Sequence, residues 1–289
     1  MLCPRLDHFV RFNPNGSVSR CGHMVNAPEF VSLEEMDAST WLTSVRETEW
    51  PTECIRCQQT EEITQSSIRL NAIKFDKIQQ KKDYLIVGGV LDNICNSACL
   101  TCNETLSTKI GGLISKHYEI FDNTNRFWAL PQERIVHLDL NGGEPSYSKN
   151  YKQVLANLPK NVKSVRLNTN CSTVLKELLL LAERGVDITV TVSLDGVGAV
   201  HDYVRWPIKW DKFFKNLLTY KSMPVKLNLW TTVSVLNVDD LPNIIAFAQQ
   251  HNIDHSYAYL KMPTELDVEN RGTPESLAYI QAQHKLRGI

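Results

Sequence analysis

Four consecutive β-strand patterns in this sequence are apolar on one side and polar on the other, which constrains the fold more than any other feature. Alternate residues of a strand point to opposite faces of its sheet. Within residues 135–141, Val136, Leu138 and Leu140 share one face while His137, Asp139 and Asn141 share the other. Within 164–170, Val165 and Leu167 oppose Arg166, Asn168 and Asn170. Within 187–195, Ile188, Val190, Val192 and Leu194 oppose Thr189, Thr191, Ser193 and Asp195. Within 225–235, Leu227, Leu229, Val233 and Val235 oppose Asn228, Trp230, Thr232 and Ser234. Parallel strands buried on both sides read as continuous apolar runs, so this pattern predicts a sheet curled around a wet cavity. The alternative is a sheet with one face open to solvent, against which stand the helices that βαβ crossovers place on both faces.

Two more strand patterns, at 84–91 and 254–260, bring the count to six, each followed by a helical pattern. Strand-then-helix repetition implies a parallel sheet with right-handed crossovers, doubly wound or a partial barrel. Ser172 and Thr173 before Val174, Leu175, Leu178, Leu179 and Ala182, with Gly185 as the stop, predict an N-capped amphipathic helix. Residues 1–82 carry turn signals, a helical pattern near 32–48 and a charged stretch from Lys74 through Lys81 to Asp83 that reads as a solvated helix face or linker. A segment of that kind buries little core alone, so a metal staple is expected. The expected division is 1–82, 83–262, and a polar loop and helix over 263–289.

Composition narrows the partners. Thirty-one basic and 32 acidic side chains give a formal net charge of -1, which removes the bulk attraction expected of a nucleic-acid or acidic-membrane binder. No apolar run reaches the length of a membrane span, and the opening Met1-Leu2-Cys3-Pro4 lacks the pattern of a secretory leader. The expectation is a soluble cytoplasmic protein whose eight thiols serve metal or catalysis before disulfides.

Cys95, Cys99 and Cys102 form a Cys-x3-Cys-x2-Cys loop directly after the first barrel strand. Three thiolates can hold three irons of a 4Fe-4S cubane and leave the fourth open to another ligand. A zinc site prefers four ligands, which His117 would have to complete. The loop resembles the signature of the radical S-adenosylmethionine (radical SAM) enzymes. Asn141-Gly142-Gly143-Glu144-Pro145 looks like that family's GGEP motif, which binds the SAM amino group. Ser193-Leu194-Asp195-Gly196 with the downstream Arg205 is similar to its ribose motif and carboxylate-binding arginine. Thr101 occupies the position of the adenine contact, which in the family is commonly a large apolar residue. Cys3, Gly16, Cys21, Cys54 and Cys57 resemble the opening half of a SPASM domain in its shortened, twitch-like form, which implies one auxiliary 4Fe-4S cluster; a zinc ribbon is the alternative.

The resemblance implies an α/β fold, a partial (β/α)6 TIM-like barrel with a small N-terminal cysteine-rich auxiliary domain. It further implies reductive cleavage of SAM to a 5′-deoxyadenosyl radical, an oxidoreductase, epimerase or other radical reaction, and a flavodoxin- or ferredoxin-type electron donor. His137, Asp139, Arg166, Asn168, Asn228 and Thr232 are expected to grip a polar small molecule such as a sugar or nucleotide derivative; a peptide or protein side chain is the alternative substrate. Cys171, at the end of the third barrel strand, is the candidate hydrogen-atom donor, with burial in the core as its alternative. The reading from another class is a non-catalytic iron-sulfur or zinc-stapled binding protein.

Overall fold

A computed structural model of the chain describes residues 3–79, 82–115 and 117–289. Eight strands form one sheet: β1 (Phe9–Phe12), β2 (Val18–Ser19), β3 (Leu85–Val90), β4 (Ile135–Asn141), β5 (Ser164–Thr169), β6 (Asp187–Ser193), β7 (Lys226–Val233) and β8 (Asp254–Tyr259). Their order is β2-β1-β3-β4-β5-β6-β7-β8, antiparallel only between β1 and β2. The six expected barrel strands lie where the periodicity puts them. The N-terminal hairpin, however, is not apart from them. Its turn at Asn13–Ser17 closes through the Ser17 carbonyl accepting from the Asn13 amide at 2.9 Å, with Gly16 at φ +83°. β1 then pairs in parallel with β3, extending the barrel sheet at its first edge.

Strand parity sorts the layers. Leu138, Leu140, Val165, Leu167, Ile188, Val190, Val192 and Leu229 belong to one buried cluster beneath the outer helices, together with Val10 and Phe12 of β1. Val136 departs from its expected partners. The β3–β4 register slips between Leu85 and Ile86, pairing Leu85 with Ile135 and Ile86 with His137, so Val136 is the extra residue of a bulge. It packs with Phe9, Tyr84, Ile86 and Phe75 in a second apolar cluster, which floors the inner side of the barrel.

Two helices, Leu33–Asp37 and Thr40–Glu47, replace the single expected helix near 32–48, because Ser39 caps the second by accepting from the Leu42 amide. The helix Ile68–Ile78 takes up the first half of the charged stretch, whose Lys81 lies outside the described residues. The helix expected from Ser172 starts five residues later, at Glu177. Ser172 and Thr173 instead bond across to Asn96 and Ser146. The C-terminal helix Pro274–Arg287 follows two 3-10 turns, Thr264–Leu266 and Val268–Asn270, where a polar loop was expected. Among the described residues no helix is long and apolar enough to cross a membrane.

Candidate functional site

The C-terminal ends of the strands carry the cysteine loop, fixed at both flanks. Asp92 begins it: its Oδ1 accepts from the Ile94 amide at 3.0 Å, and its other oxygen accepts from the Ser148 hydroxyl. Burial pushes the Asp92 carboxyl up to about 6. The Ala98 amide donates to the Trp206 carbonyl and the Leu100 amide to that of Val204, at 2.8 and 2.9 Å. From the far end of the chain Arg287, 4% exposed, donates to the carbonyls of Ala98 and Cys99 at 2.7 and 3.2 Å.

Cys95, Cys99, Thr101 and Cys102 line a cavity together with Gly142, Gly143, Glu144, Asn168, Ser193, Asp195, Arg205 and Thr232. The glycines are required there. Gly143 stands at φ +53° and a Cβ on it would meet the Asp92 carbonyl at 2.6 Å; Gly142, at φ +69°, would meet Val90 at 2.5 Å. Glu144 is buried, and its carboxylate is saturated by the Ser146 hydroxyl and amide, the Thr169 hydroxyl and the Asn170 amide. It therefore ties the ends of β4 and β5 together. Arg205 donates to Asp195 Oδ2 at 2.6 Å while Asp195 Oδ1 accepts from the Thr232 amide at 2.8 Å, so the two expected cofactor contacts are also each other's partners. Although burial alone would lower it, the neighbouring Cys99 and Asp195 leave the Arg205 guanidinium held above its usual range.

The donor chemistry suits an electropositive centre. Burial, reinforced by the neighbouring sulfurs, pushes the Cys95 thiol up to about 11 and Cys102 to about 12. Thiols grouped in this way become thiolates when a cationic centre compensates them. His117 is exposed and lines a different cleft, beside Tyr118 and Glu119, so it does not complete a four-ligand set with the trio.

A second cavity adjoins the first through Asn168 and runs along the inner face of the barrel, enclosing about 1480 Å³ with space open to solvent counted. His137, Asp139, Arg166, Asn168, Thr191 and Trp230 contribute to its walls, Phe9, Ile86 and Phe75 to its apolar side. His137 Nδ1 lies 2.6 Å from the Ser164 hydroxyl, and burial lowers its basicity. Arg166 stands 3.5 Å from Asp139. Thr232 lines the first cavity and Asn228 neither; Trp230, next along the same face of β7, supplies that stretch of wall.

A third cavity, sharing Arg5, His23 and Ile68 with the second, is lined by Cys3, Cys21, Cys54 and Cys57. Burial is the main reason that Cys3 is pushed up to about 11 and Cys54 to about 12, with the other cysteines of the set adding to it. All eight cysteines are free thiols. Among the described residues no group of three or more His, Cys, Asp or Glu is drawn together as a site for a single metal ion; the sulfurs stand around cavities.

Cys171 is not at a cavity mouth. It is fully buried in the outer core at φ +60°, with Sγ 3.7 Å from the Phe213 carbonyl. β5 ends at Thr169, and beyond it the Cys171 carbonyl accepts from Asn216 at 2.9 Å, so this residue packs against the helix Trp210–Ser222. Arg5, Arg11 and Arg287 are the functional candidates the sequence reading passed over. Only Arg11 carries a local signal, as the polar position in the alternation Phe9-Val10-Arg11-Phe12.

No protein-family model matches the chain, and neither does any curated protein. Among solved structures, anSMEcpe with bound AdoMet is 14% identical over 60% of this chain and 52% of that one, at a TM-score of 0.45. Streptococcus suis SuiB bound to precursor peptide SuiA is 14% identical over 75% of this chain and 48% of that one, at 0.49. TYW1 with a lysine-pyruvate adduct is 12% identical over 78% and 80%, at 0.44. The chain spans about half the length of the first two.

Proposed function

We propose that this chain is a radical SAM enzyme acting on a polar small molecule held in the barrel lumen. One observation carries the reading: the cysteine trio, the Gly142-Gly143 pair and Ser193, Asp195 and Arg205 open onto one cavity, which adjoins a partly polar lumen. Cys95, Cys99 and Cys102 would hold a 4Fe-4S cluster. Bound there, the cluster would supply one electron for the reductive cleavage of SAM to methionine and a hydrogen-abstracting 5′-deoxyadenosyl radical, a flavodoxin- or ferredoxin-type donor reducing it. Cys3, Cys21, Cys54 and Cys57 would hold an auxiliary cluster that relays an electron or braces the fold. Eight free thiols suit a reducing compartment such as the cytoplasm.

The chain's own residues then act as follows. Gly142 and Gly143 would let backbone approach the amino end of SAM, Arg205 would meet its carboxylate, and Ser193 and Thr101 would flank it. Asp195 orients Arg205. Glu144 and Asp92 fix the loops. In the lumen Asp139, Arg166 and Asn168 offer hydrogen bonds that an all-apolar side chain would leave unmade, at about 1–3 kcal/mol each, while Phe9 and Ile86 form an apolar side of the wall. The polar small molecule is therefore favoured over an apolar peptide side chain as substrate.

Anaerobically prepared protein should hold about eight irons per chain and, once reduced, convert SAM to methionine and 5′-deoxyadenosine. The Cys95→Ala, Cys99→Ala, Cys102→Ala triple variant should keep about four irons and cleave no SAM. Metal analysis and mass spectrometry read both. Absence of SAM cleavage by the iron-loaded native protein overturns the function; four irons with one zinc overturns the auxiliary cluster alone.

A further inference from the structure

We infer that the lumen takes its substrate by an anionic group, phosphate or carboxylate, seated between Arg11 of the N-terminal hairpin and Arg166 of the barrel. The inference rests on the proposed function and concerns the substrate of that same site. Sheet register puts the two arginines in one row. Arg11 pairs with Gly88, Gly88 with Asp139, and Asp139 with Arg166, across four adjacent strands. All four belong to the inward-facing parity, and the three that carry side chains line the lumen. Three strand spacings separate the arginines by about 14 Å along the sheet, a gap that two long guanidinium side chains can close onto one ligand. Gly88 between them contributes no side chain; a Cβ there would meet Phe9 at 2.5 Å.

The charges are unbalanced. Arg5, Arg11 and Arg166 face the cavity against one carboxylate, Asp139; with His23 and His137 neutral, three cations less one anion leave a formal surplus of two. Among the described residues neither Arg5 nor Arg11 has a carboxylate within ion-pair distance. Arg166 has Asp139 at 3.5 Å, but Asp139 Oδ1 has no hydrogen-bond partner, so the pair is loose enough for Arg166 to turn to a ligand. Arg11 is aimed by its bond to Asn13 Oδ1 at 2.8 Å and by its packing against Gly22, and among the described residues that bond uses one of its five donors. Burial lowers the Arg11 pKa, with Cys21 and Glu29 opposing the shift.

A competing use of these cations is to neutralise an auxiliary cluster. Arg5 lines both the four-cysteine cavity and the lumen, so its charge is shared. Arg11 and Arg166 line the lumen and not the four-cysteine cavity, and the inference stands on them. Bidentate recognition of a phosphate or carboxylate is what guanidinium forks do well, and the apolar floor with Trp230 would take the remainder of the molecule.

The test is calorimetric titration of anaerobically purified protein with inorganic phosphate and, separately, with succinate. Arg11→Gln and Arg166→Gln are titrated alongside, with iron content and visible absorption measured on every sample. The native protein should bind at least one anion, and each substitution should weaken it about 10- to 100-fold, the effect of losing a charged hydrogen bond. Tighter phosphate assigns a phosphate ester and tighter succinate a carboxylate. Arg166 is half exposed, with its side chain 53% accessible, so its variant carries the test if Arg11→Gln fails to fold. Binding of neither anion, undiminished binding by the Arg166→Gln variant, or binding of a tetraglutamate peptide where both small anions fail overturns the inference. SAM cleavage by the native protein is scored separately: cleavage without anion binding removes this inference alone, and absence of cleavage removes the function with it.

Discussion

Arg287 is the most exposing point at which to test how the cysteine loop is held. Its guanidinium makes two charge-assisted hydrogen bonds to loop carbonyls 188 and 189 residues earlier in the chain, and both Ala98 and Cys99 are buried. A hydrogen bond from a charged donor contributes about 1.5–3 kcal/mol. Arg287→Gln therefore removes at least about 3 kcal/mol from the closed loop, enough to raise the open population about 100-fold. The Ala98 and Leu100 amides, bonded to Trp206 and Val204, report that opening directly by hydrogen exchange. Their exchange should speed up by about that factor, while amides in β5 and β6 keep native protection. Arg287→Lys, with one compact ammonium in place of the fork, should fall between. Iron retention should follow the same order. If Arg287→Gln changes exchange at Ala98 and Leu100 less than about threefold, the helix Pro274–Arg287 only sits beside the loop and does not hold it.

Other outcomes follow from the same contacts. The Asp92 carboxyl is raised from 3.8 to about 6, so its native-state penalty is absent below pH 4 and grows as pH rises through 6. Asp92→Asn removes the charge but leaves one oxygen for two donors, so it loses about 1 kcal/mol at the Ser148 hydroxyl at every pH and should gain up to about 3 kcal/mol above pH 7 relative to below pH 4; equal melting shifts at both ends would refute it. Asp195→Ala leaves buried Arg205 without its carboxylate and should cost about 3–5 kcal/mol in urea unfolding, with much of that regained in an Asp195→Ala, Arg205→Met double variant. If the single and double variants unfold alike, the pair does not set the cost. Cys171→Ala should lose about 1 kcal/mol of stability yet leave solvent deuterium incorporation during turnover in heavy water unchanged; a drop in deuterium would restore the donor role.

The parts of this site that period-2 alternation can encode were legible in the sequence, and those that depend on register or distance were not. His137, Asp139, Arg166 and Asn168 reach one lumen because a strand's side-chain direction follows from residue number alone. The same rule misplaced Val136, since a bulge opposite Leu85 and Ile86 adds one residue and breaks the count, and nothing in Arg134-Ile135-Val136-His137 announces it. Ser172 reads as a helix cap because its hydroxyl is next to an apolar run, but Asn96 across the site competes for that hydroxyl, and tertiary bonding outweighs a cap contribution of about 1 kcal/mol. Arg287 has no local signature at all, since an arginine in the last turn of a helix is usual on dipole grounds. Arg11 was readable but lay in a segment taken for a separate unit. Once β1 pairs with β3, its parity is continuous with that of the barrel, and Arg11 becomes part of the wall of the lumen. The N-terminal hairpin thereby adds Arg11 to the row that holds Asp139 and Arg166, so substitutions at Arg11 should be felt in ligand binding before they are felt in iron content.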